Sequence, residues 1–564
     1  MSLFGSLYTG VSGLRTSQNA LNTTAHNLSN IDTIGYTRQQ VQQGTRFYNK
    51  IGVAAISPKQ IGLGVEYTRV KQIRDAFLDK NYRRELGRSA YYEIASGAIE
   101  EVEALFKELD GDAFAASIDN LWRAVQDLAE DPSNPVDQGV FMQRCNEFLS
   151  RGQAVYSGLC EYQNNLNYKI AQQVETMNAY AKRIAELNQE IMGIESGNVE
   201  WANDLKDERN LLLDELSAMG NIECRTDSFG NVLIKLEGVD FVKMDSANEI
   251  LLHEDTETGF YTPYWKQLAK KNTVNGVETL DLSTAAVFDL GQVIATDRDT
   301  DIGSLKSMMF ARGNKRATFK DLGMDGNITG SENPGSVEYY DKYVSQSVVM
   351  NVQAEFDMLV HSITLRINEV FKEAADRAEA EQPGTDYMKK WIVDANGNPV
   401  LDNNGKPTWE AIAIFRTQID SMNPDDFTIE NLIIDGELKQ SPSLLGFKKD
   451  DGQVDQTTAD ALKAIFKEEK YKVNPHVNTA CDFINYYNNL VSLTANFGYV
   501  LRGICSNQEV AVDNTAAARE QVHGVSSDEE LSNMIMFQNA YNASSRYVNV
   551  INEMLEHVLS ALGR

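Results

Sequence analysis

SLYTGVSGLRTSQNALNTTAHNLSNIDTIGYTR, residues 6–38, carries Leu7, Leu14, Leu21 and Leu28 at intervals of seven, with Val11 and Ala25 between them. That spacing is the seam of a coiled coil. At the far end, VSSDEELSNMIMFQNAYNASSRYVNVINEML, residues 525–555, sets Met534, Tyr541, Val548 and Leu555 at the same interval. Leu562 continues that row, and Leu531, Ile535, Ile551 and Leu559 reinforce it. A helix at each end with a matching face predicts that the two ends pack on each other.

The opposite faces of these helices are unusual. Residues 1–40 hold only Arg15, Asp32 and Arg38 as charges, and residues 531–552 only Arg546. A helix facing water normally shows Lys and Glu there. Short uncharged polar groups suit a surface packed against more protein, where hydrogen bonds are met and bare charges are expensive. Gly10 and Gly13 each cost about 1 kcal/mol relative to Ala inside a helix, so the N-terminal helix is marginal alone. The ends read as assembly surfaces, frayed in the monomer and ordered when copies stack.

Working inward, proline is absent before Pro58, after Pro475 and between Pro135 and Pro263. In that middle stretch Ile170, Val174, Met177, Ala181, Ile184, Leu187, Ile191 and Ile194 follow one helix face, with Lys182, Arg183, Glu186 and Glu190 between them. The pattern predicts one long helix over about 138–196, preceded by a helical pair over 84–109 and 113–129. After Trp201 the run IECRTDSFGNVLIKLEGVDFVK alternates strand segments with Gly-containing turns, the pattern of consecutive hairpins. Strand-like sequence continues to about Gly303. A helix returns over 339–378, with Val344, Val348, Val352, Phe356, Leu359, Ile363, Ile367 and Val370 on one face. Beyond it DANGNP at 394–399 recurs as DNNGKP at 402–407, which reads as a β-ribbon with two Asn-Gly turns. From Thr457 onward the chain is mostly helical.

The fold expected is α+β and multidomain: a terminal α-helical coiled coil and a long-helix bundle formed by both chain ends, with β-rich inserted domains. The division expected is 1–45 with 515–564 as the coiled-coil assembly domain, and 46–204 with 304–380 and 455–514 as the helical bundle. Residues 205–303 form a β-rich insert and 381–454 a second, smaller β-containing one.

Composition limits the partners. The 564 residues carry 81 Asp and Glu against 52 Lys and Arg, a net charge of -29, with 42% hydrophobic and 24% charged residues. That balance is a folded protein's, and its negative surface is repelled by phosphate backbones and anionic lipid, so neither nucleic acid nor membrane is expected as a partner. No uncharged apolar run reaches the length of a transmembrane helix, so the chain is expected to be soluble. The first residues lack a basic start and a compact apolar stretch, so no cleaved secretory signal is expected. Cys145, Cys160, Cys224, Cys481 and Cys505 are odd in number, and no CxxC pair occurs among them. This argues against a disulfide framework and a thiolate zinc site.

Enzyme chemistry finds little footing. His26, His253, His361, His476, His523 and His557 are scattered without an HExxH spacing. His253-Glu254-Asp255 reads as a loop. Asp297, Asp299 and Asp301 alternate as calcium ligands do, but an EF-hand requires Gly and Glu where Ile302 and Met308 stand. No GxSxG, phosphate-cradling loop or redox pair appears. No catalytic residue, metal or cofactor is expected. Serine at 526 and 527 followed by Asp528, Glu529 and Glu530 is a capped helix start. Asn27, Asn30 and Gly35 close the first helix and turn the chain, Gly35 taking a positive φ.

The N-terminal stretch, from Ser6-Leu7-Tyr8-Thr9-Gly10-Val11 through Asn27-Leu28-Ser29-Asn30 to Gly35-Tyr36-Thr37-Arg38, resembles the signature of bacterial flagellar rod, hook and junction proteins. The C-terminal Val525–Leu531 and Phe537-Gln538-Asn539-Ala540-Tyr541 resemble the partner signature. His26 stands where that group usually has Asn. Asn203-Asp204-Leu205, Asp207, Arg209 and Leu213-Asp214-Glu215-Leu216-Ser217 are similar to an internal motif of the hook-associated protein 1 family, whose members form the first hook–filament junction. The resemblance implies a structural subunit, exported through the flagellar type III channel to an extracellular place between hook and filament. Implied partners are the hook protein, the second junction protein, further copies in a ring, and a cytosolic export chaperone on the C-terminal helix. For subunit packing it implies Leu7, Val11, Leu14, Leu21, Leu28, Asn27, Asn30, Gly35 and Tyr36, and for packing or chaperone binding Leu531, Met534, Gln538, Tyr541, Val548, Leu555 and Leu562. The rival readings are a hook or rod protein with the same ends, and a surface hydrolase or calcium-binding adhesin housed in an insert.

Overall fold

A computed structural model describes residues 3–53, 58–107, 114–197, 200–274, 277–324, 328–392, 400, 408–419, 421, 423–449 and 452–563. Helix α1 (Leu3–Ser29) leads into a long hairpin arm, β1 (Gln39–Thr45), β2 (Tyr48–Val53), β3 (Pro58–Gly62) and β4 (Val65–Gln72), in which β1 pairs antiparallel with β4 and β2 with β3. Then come α2 (Ala76–Lys107), α3 (Phe114–Glu130), α4 (Pro135–Glu195) and α5 (Asn203–Met219). The 61 residues of α4 span about 90 Å at 1.5 Å per residue. Its start follows the sequence closely: Asn134 caps it, accepting from Val136 N, and Pro135 takes the first-turn position where its missing N–H costs nothing.

The strand-rich segment starts at Ile222, since α5 occupies the residues before it. It comprises a meander of β5 (Ile222–Thr226), β6 (Val232–Leu236) and β7 (Val239–Val242), then the hairpins β8 (Ile250–Glu254) with β9 (Tyr261–Trp265) and β10 (Lys270–Val274) with β11 (Val277–Asp281). The chain returns through α6 (Ser304–Arg312), the short α7 (Val337–Tyr339) and α8 (Val348–Glu381). The expected helix over 339–378 is interrupted, because residues 340–344 form a wider π-type turn before Ser347 caps α8. A second insert follows, with β12 (Lys389–Trp391) pairing β13 (Trp409–Ala411), β14 (Phe415–Thr417) pairing β15 (Leu432–Ile434), and α9 (Gly436–Gln440). The expected Asn-Gly ribbon at 394–399 and 402–407 lies outside the described residues. Helices α10 (Gln456–Ile465), α11 (Phe483–His523) and α12 (Ser527–Leu562) complete the chain.

The main core lies where α3, α4, α8 and α11 meet. Phe114 sits at its centre, with ring centroids 4.8 Å from Phe356, 5.3 Å from Tyr487 and 5.5 Å from Phe148. Every apolar position expected on the faces of α4 and α8 is buried except Ile194, which is 43% exposed in the last turn of α4.

Three asparagines on α4 hold the first insert. Asn167, Asn178 and Asn188 recur at steps of eleven and ten, close to three helical turns, so they share a face. Each amide both donates and accepts at a strand or turn backbone. Asn188 donates to Val232 O at 2.9 Å and accepts from Val232 N at 3.1 Å. Asn178 does the same with Ile250 at 2.8 and 3.0 Å, and Asn167 with Gly259 O and Tyr261 N at 3.0 and 2.8 Å. Asn368 on α8 repeats the device on the second insert, donating to Phe415 O and accepting from Ile414 N and Phe415 N. These satisfied amides, buried at Asn167, Asn188 and Asn368 and half-buried at Asn178, fix the inserts' positions because an unmade bond there is costly.

Two buried acids make stability depend on pH. Burial pushes Glu355 and Asp357 up to about 7 each. An acid whose native pKa is raised holds its proton more tightly when folded, so its effect on stability is unfavourable and grows as pH rises from about 4 to about 7. Replacing Glu355 by Gln should therefore flatten that part of the pH dependence, by on the order of 2 kcal/mol, in urea midpoints measured at pH 5.5 and 7.5.

Candidate assembly site

Helices α1 and α12 lie antiparallel, and their register is fixed by three contacts. A Cβ added to Gly10 would stand 2.8 Å from Val548 Cγ2 and 2.9 Å from Tyr547 Cδ1, and one added to Gly13 would stand 2.9 Å from Ser544 Oγ. Asn27 Nδ2 donates to Glu530 Oε2 at 3.1 Å. Gly10, Gly13, Ser17, Ala20, Thr24 and Asn27 thus form a stripe at alternating steps of three and four, buried apart from the half-buried Gly13. Ser12 turns to the arm, where its hydroxyl accepts from Val65 N at 3.2 Å.

This corrects the expected seam. Leu7, Val11, Leu14, Leu21 and Leu28 are half-buried flanks of the contact, and Ala25 is exposed. Small residues win the central line because they let the two backbones approach, and leucines there would hold the helices apart. On α12 the expected row fares better: Met534, Tyr541, Val548 and Leu555 are half-buried beside Phe537, Ser544 and the buried Ile551. Leu531, Ile535 and Leu559 do not reinforce that row, being 44%, 60% and 69% exposed on the outer side of a helix covered along one face, and Gln538 is exposed too. The side chain of Leu562 lies outside the described residues. Phe4 and Tyr8 on α1 and Met554 and Val558 on α12 add to the apolar surface that remains open.

A polar joint anchors this pair to the rest of the molecule. Residue Ser526 caps α12, whose first turn carries Asp528, Glu529 and Glu530. Arg38 meets Glu530 at 2.9 Å and Glu529 at 2.8 Å. Asn27 is fully used: it donates to Gln39 O and Glu530, and accepts from Gln39 N at 3.0 Å and Tyr36 OH at 2.8 Å. Asn30 Nδ2 donates to His26 O at 2.9 Å at the end of α1, and Gly35 has φ +80° against Leu211 of α5. His26 Nδ1 lies 3.0 Å from the Tyr36 hydroxyl. Burial, then the carboxylates of Asp207, Asp204 and Glu530, push the Tyr36 phenol upward, so it stays a donor.

The internal motif closes the joint from below. Asp207 on α5 accepts from Thr37 N at 3.2 Å and Gln72 Nε2 at 2.8 Å, and burial raises it to about 6. Asp214 takes Arg83 at 2.7 Å and Arg519 at 2.7 Å. Arg74 pairs with Asp79 at 2.6 Å. His523, in the last turn of α11, accepts from Asp75 N at Nε2, 3.0 Å, while burial lowers its pKa and so favours the neutral ring that this bond needs. The arrangement supplies positioning and packing. Sequence reading missed Arg74, Asp79, Arg83, His523 and Arg519, for which periodicity carries no signal.

The residues weighed for other chemistry lie elsewhere. His253 and Glu254 are in strand β8, not in a loop, because they pair with Thr262 and Tyr261 of β9. Arg88 holds Asp301 at 3.1 Å and Asp299 at 2.8 Å. All five cysteines are free thiols, Cys145, Cys160 and Cys481 being buried, and burial pushes Cys160 up to about 12. No helix among the described residues is long and apolar enough to cross a membrane.

Comparison with known proteins bears on all of these segments. The family described as the flagellar hook-associated protein FlgK helical domain matches residues 99–387, the flagella basal body rod protein family residues 7–37, and the flagellar basal body rod FlgEFG protein C-terminal family residues 522–561. Flagellar hook-associated protein 1 of Bacillus subtilis is 24% identical, over 100% of this chain and 99% of its own. The protein of that name from Escherichia coli is 21% identical, over 98% of each chain. A solved structure of the flagellar hook junction protein FlgK from Burkholderia pseudomallei covers 79% of this chain and 100% of its own at 11% identity, with a TM-score of 0.49, too distant to argue from.

Proposed function

The chain belongs to the flagellar hook-associated protein FlgK family, whose helical-domain model spans half of it, and from that premise we propose how it builds the hook–filament junction. It is a structural component of the flagellum at that junction, associated with other hook components. In the reading proposed here, α1 and α12 form the inner, assembly-facing layer, residues 1–45 with 515–564. The bundle of 46–221, 304–380 and 455–514, which includes α5, carries the inserts 222–303 and 381–454 outward. Neighbouring copies in a ring, the hook protein and the second junction protein bury the apolar surface left open by Phe4, Tyr8, Leu531, Ile535 and Leu559. That open apolar face on an already paired set of chain ends is the observation that carries the reading. Before export the same face of α12 is the binding surface of a cytosolic chaperone, and the exported chain works outside the cell without catalysis.

The shared rod-family ends favour one second reading, a hook or rod subunit. Deleting the gene separates the two. Intact hooks without filaments, with flagellin released as monomer, are expected for the junction role; missing hooks would contradict it.

A further inference from the structure

A cleft of about 850 Å³ opens between the start of α2, helix α5 and the edge strand β5. In a chain of net charge -29 its sign is reversed: three carboxylates line it with seven Lys and Arg side chains. Several of those cations are already answered, Arg74 by Asp79, Arg83 by Asp214 and Lys206 by Glu195. Three more differ from these. Lys80, exposed at the rim, has no ion-pair partner among the described residues, and Arg84, 44% exposed, pairs with its chain neighbour Glu85 at 3.0 Å, an exposed pair of the kind that exchanges partners at little cost. Arg209 is 5% exposed, and its guanidinium bonds only to neutral groups, Asn188 Oδ1 at 2.8 Å and Gly230 O at 3.1 Å, leaving Nε without a partner.

A buried cation with no carboxylate in ion-pair reach is costly unless an anion completes it. Its pKa is drawn down by burial to about 10, and the carboxylates of Glu195 and Asp227, beyond ion-pair distance, offset only part of that. Asn188 and Gly230 hold the group in place in the wall of the cleft. Phe77, 68% exposed, adds an apolar surface at the mouth, which a simple inorganic anion has no use for.

We infer that this cleft receives an acidic polypeptide segment of a neighbouring protein, its carboxylates set against Lys80, Arg84 and Arg209 and an apolar side chain against Phe77. Charge-assisted bonds from Arg and Lys to carboxylates supply the specificity, and the chain's own negative surface repels the segment everywhere else. The inference is independent of the terminal helices, since none of its residues lies on α1 or α12.

The test uses the full-length protein and a fluorescein-labelled octaglutamate peptide with a C-terminal phenylalanine, followed by anisotropy at low salt. Saturable one-to-one binding is expected, weakened about tenfold or more by Lys80→Glu with Arg84→Glu, and weakened again as salt rises. Should that variant melt early by circular dichroism, Lys80→Gln with Arg84→Gln carries the same comparison with about threefold weakening expected. Unsaturable binding, affinity unchanged in the folded variant, or displacement of the peptide by equimolar inorganic phosphate would overturn the inference.

Discussion

Replacing Gly10 with valine should abolish filament attachment while leaving the helical bundle intact. The glycine faces Val548 and Tyr547 at distances where an added Cβ already falls inside van der Waals contact, 2.8 and 2.9 Å. Neither neighbour is the flexible end of a long chain, so relief requires the helices to move apart. Overpacking of this kind costs about 1–3 kcal/mol, whereas the gain in helix propensity over glycine is below about 1 kcal/mol. In a two-helix layer that buries little, that deficit separates α1 from α12. Gly5 provides the control, because an added Cβ there meets nothing within 4 Å. Filament counts by electron microscopy should fall to near zero for Gly10→Val and stay at wild type for Gly5→Ala, with thermal unfolding of the bundle unchanged in both. Filaments on the Gly10→Val strain would show that the close register is dispensable.

Asn27→Ala should be nearly as severe, by a different route. The side chain is 1% exposed, and both donors and both acceptor positions of its amide are engaged. Truncation strips a partner from Gln39, Tyr36 and the buried Glu530 together, at a cost of about 3 kcal/mol to the joint. Arg38 then remains the main tie between the arm and the start of α12. Exposed Asn22 on the same helix is the comparison, since Asn22→Ala removes nothing buried. Proteolysis of the purified protein should cut near residues 30–38 and 523–527 many times faster in Asn27→Ala than in Asn22→Ala. Equal rates would mean that the network around Asn27 does not hold the joint.

What the sequence made legible follows from what periodicity measures. The faces of α4 and α8 are long and buried along most of their length, so Ile170 through Ile191 and Val348 through Val370 read correctly, while Val344 is buried in the π-type turn that interrupts the expected helix. The outer limits of α4 were punctuated by Asn134-Pro135 and by the glycines near 193–197. At the chain ends the same rule selected the wrong line. It ranks residues by hydrophobicity, whereas a close helix pair ranks them by size, so Leu7, Leu14, Leu21 and Leu28 were read as the seam and Gly10, Ser17 and Thr24 as its back. The scarcity of charge on that back was the usable clue, and it pointed to burial. The polar joint was invisible because its partners are far apart in the chain: Arg38 and Glu530, Thr37 and Asp207, Arg519 and Asp214. Asn167, Asn178 and Asn188 show the same limit, since asparagines at helical spacing look like a solvated face until strands are laid against them. Arg209 belonged to a recognised motif, yet only the structure shows its charge to be unanswered.

Hydrogen exchange followed by mass spectrometry, on the dilute monomer and on assembled flagella, tests the central claim most directly. Terminal helices that bury one narrow stripe on each other and leave Phe4, Leu531, Ile535 and Leu559 in water should open readily. Residues 1–26 and 532–564, outside the polar joint, are therefore expected to exchange within seconds in the monomer, while α4 and α8 stay protected, and to become protected once assembled. Terminal helices as protected in the dilute monomer as α4 and α8 would contradict the account.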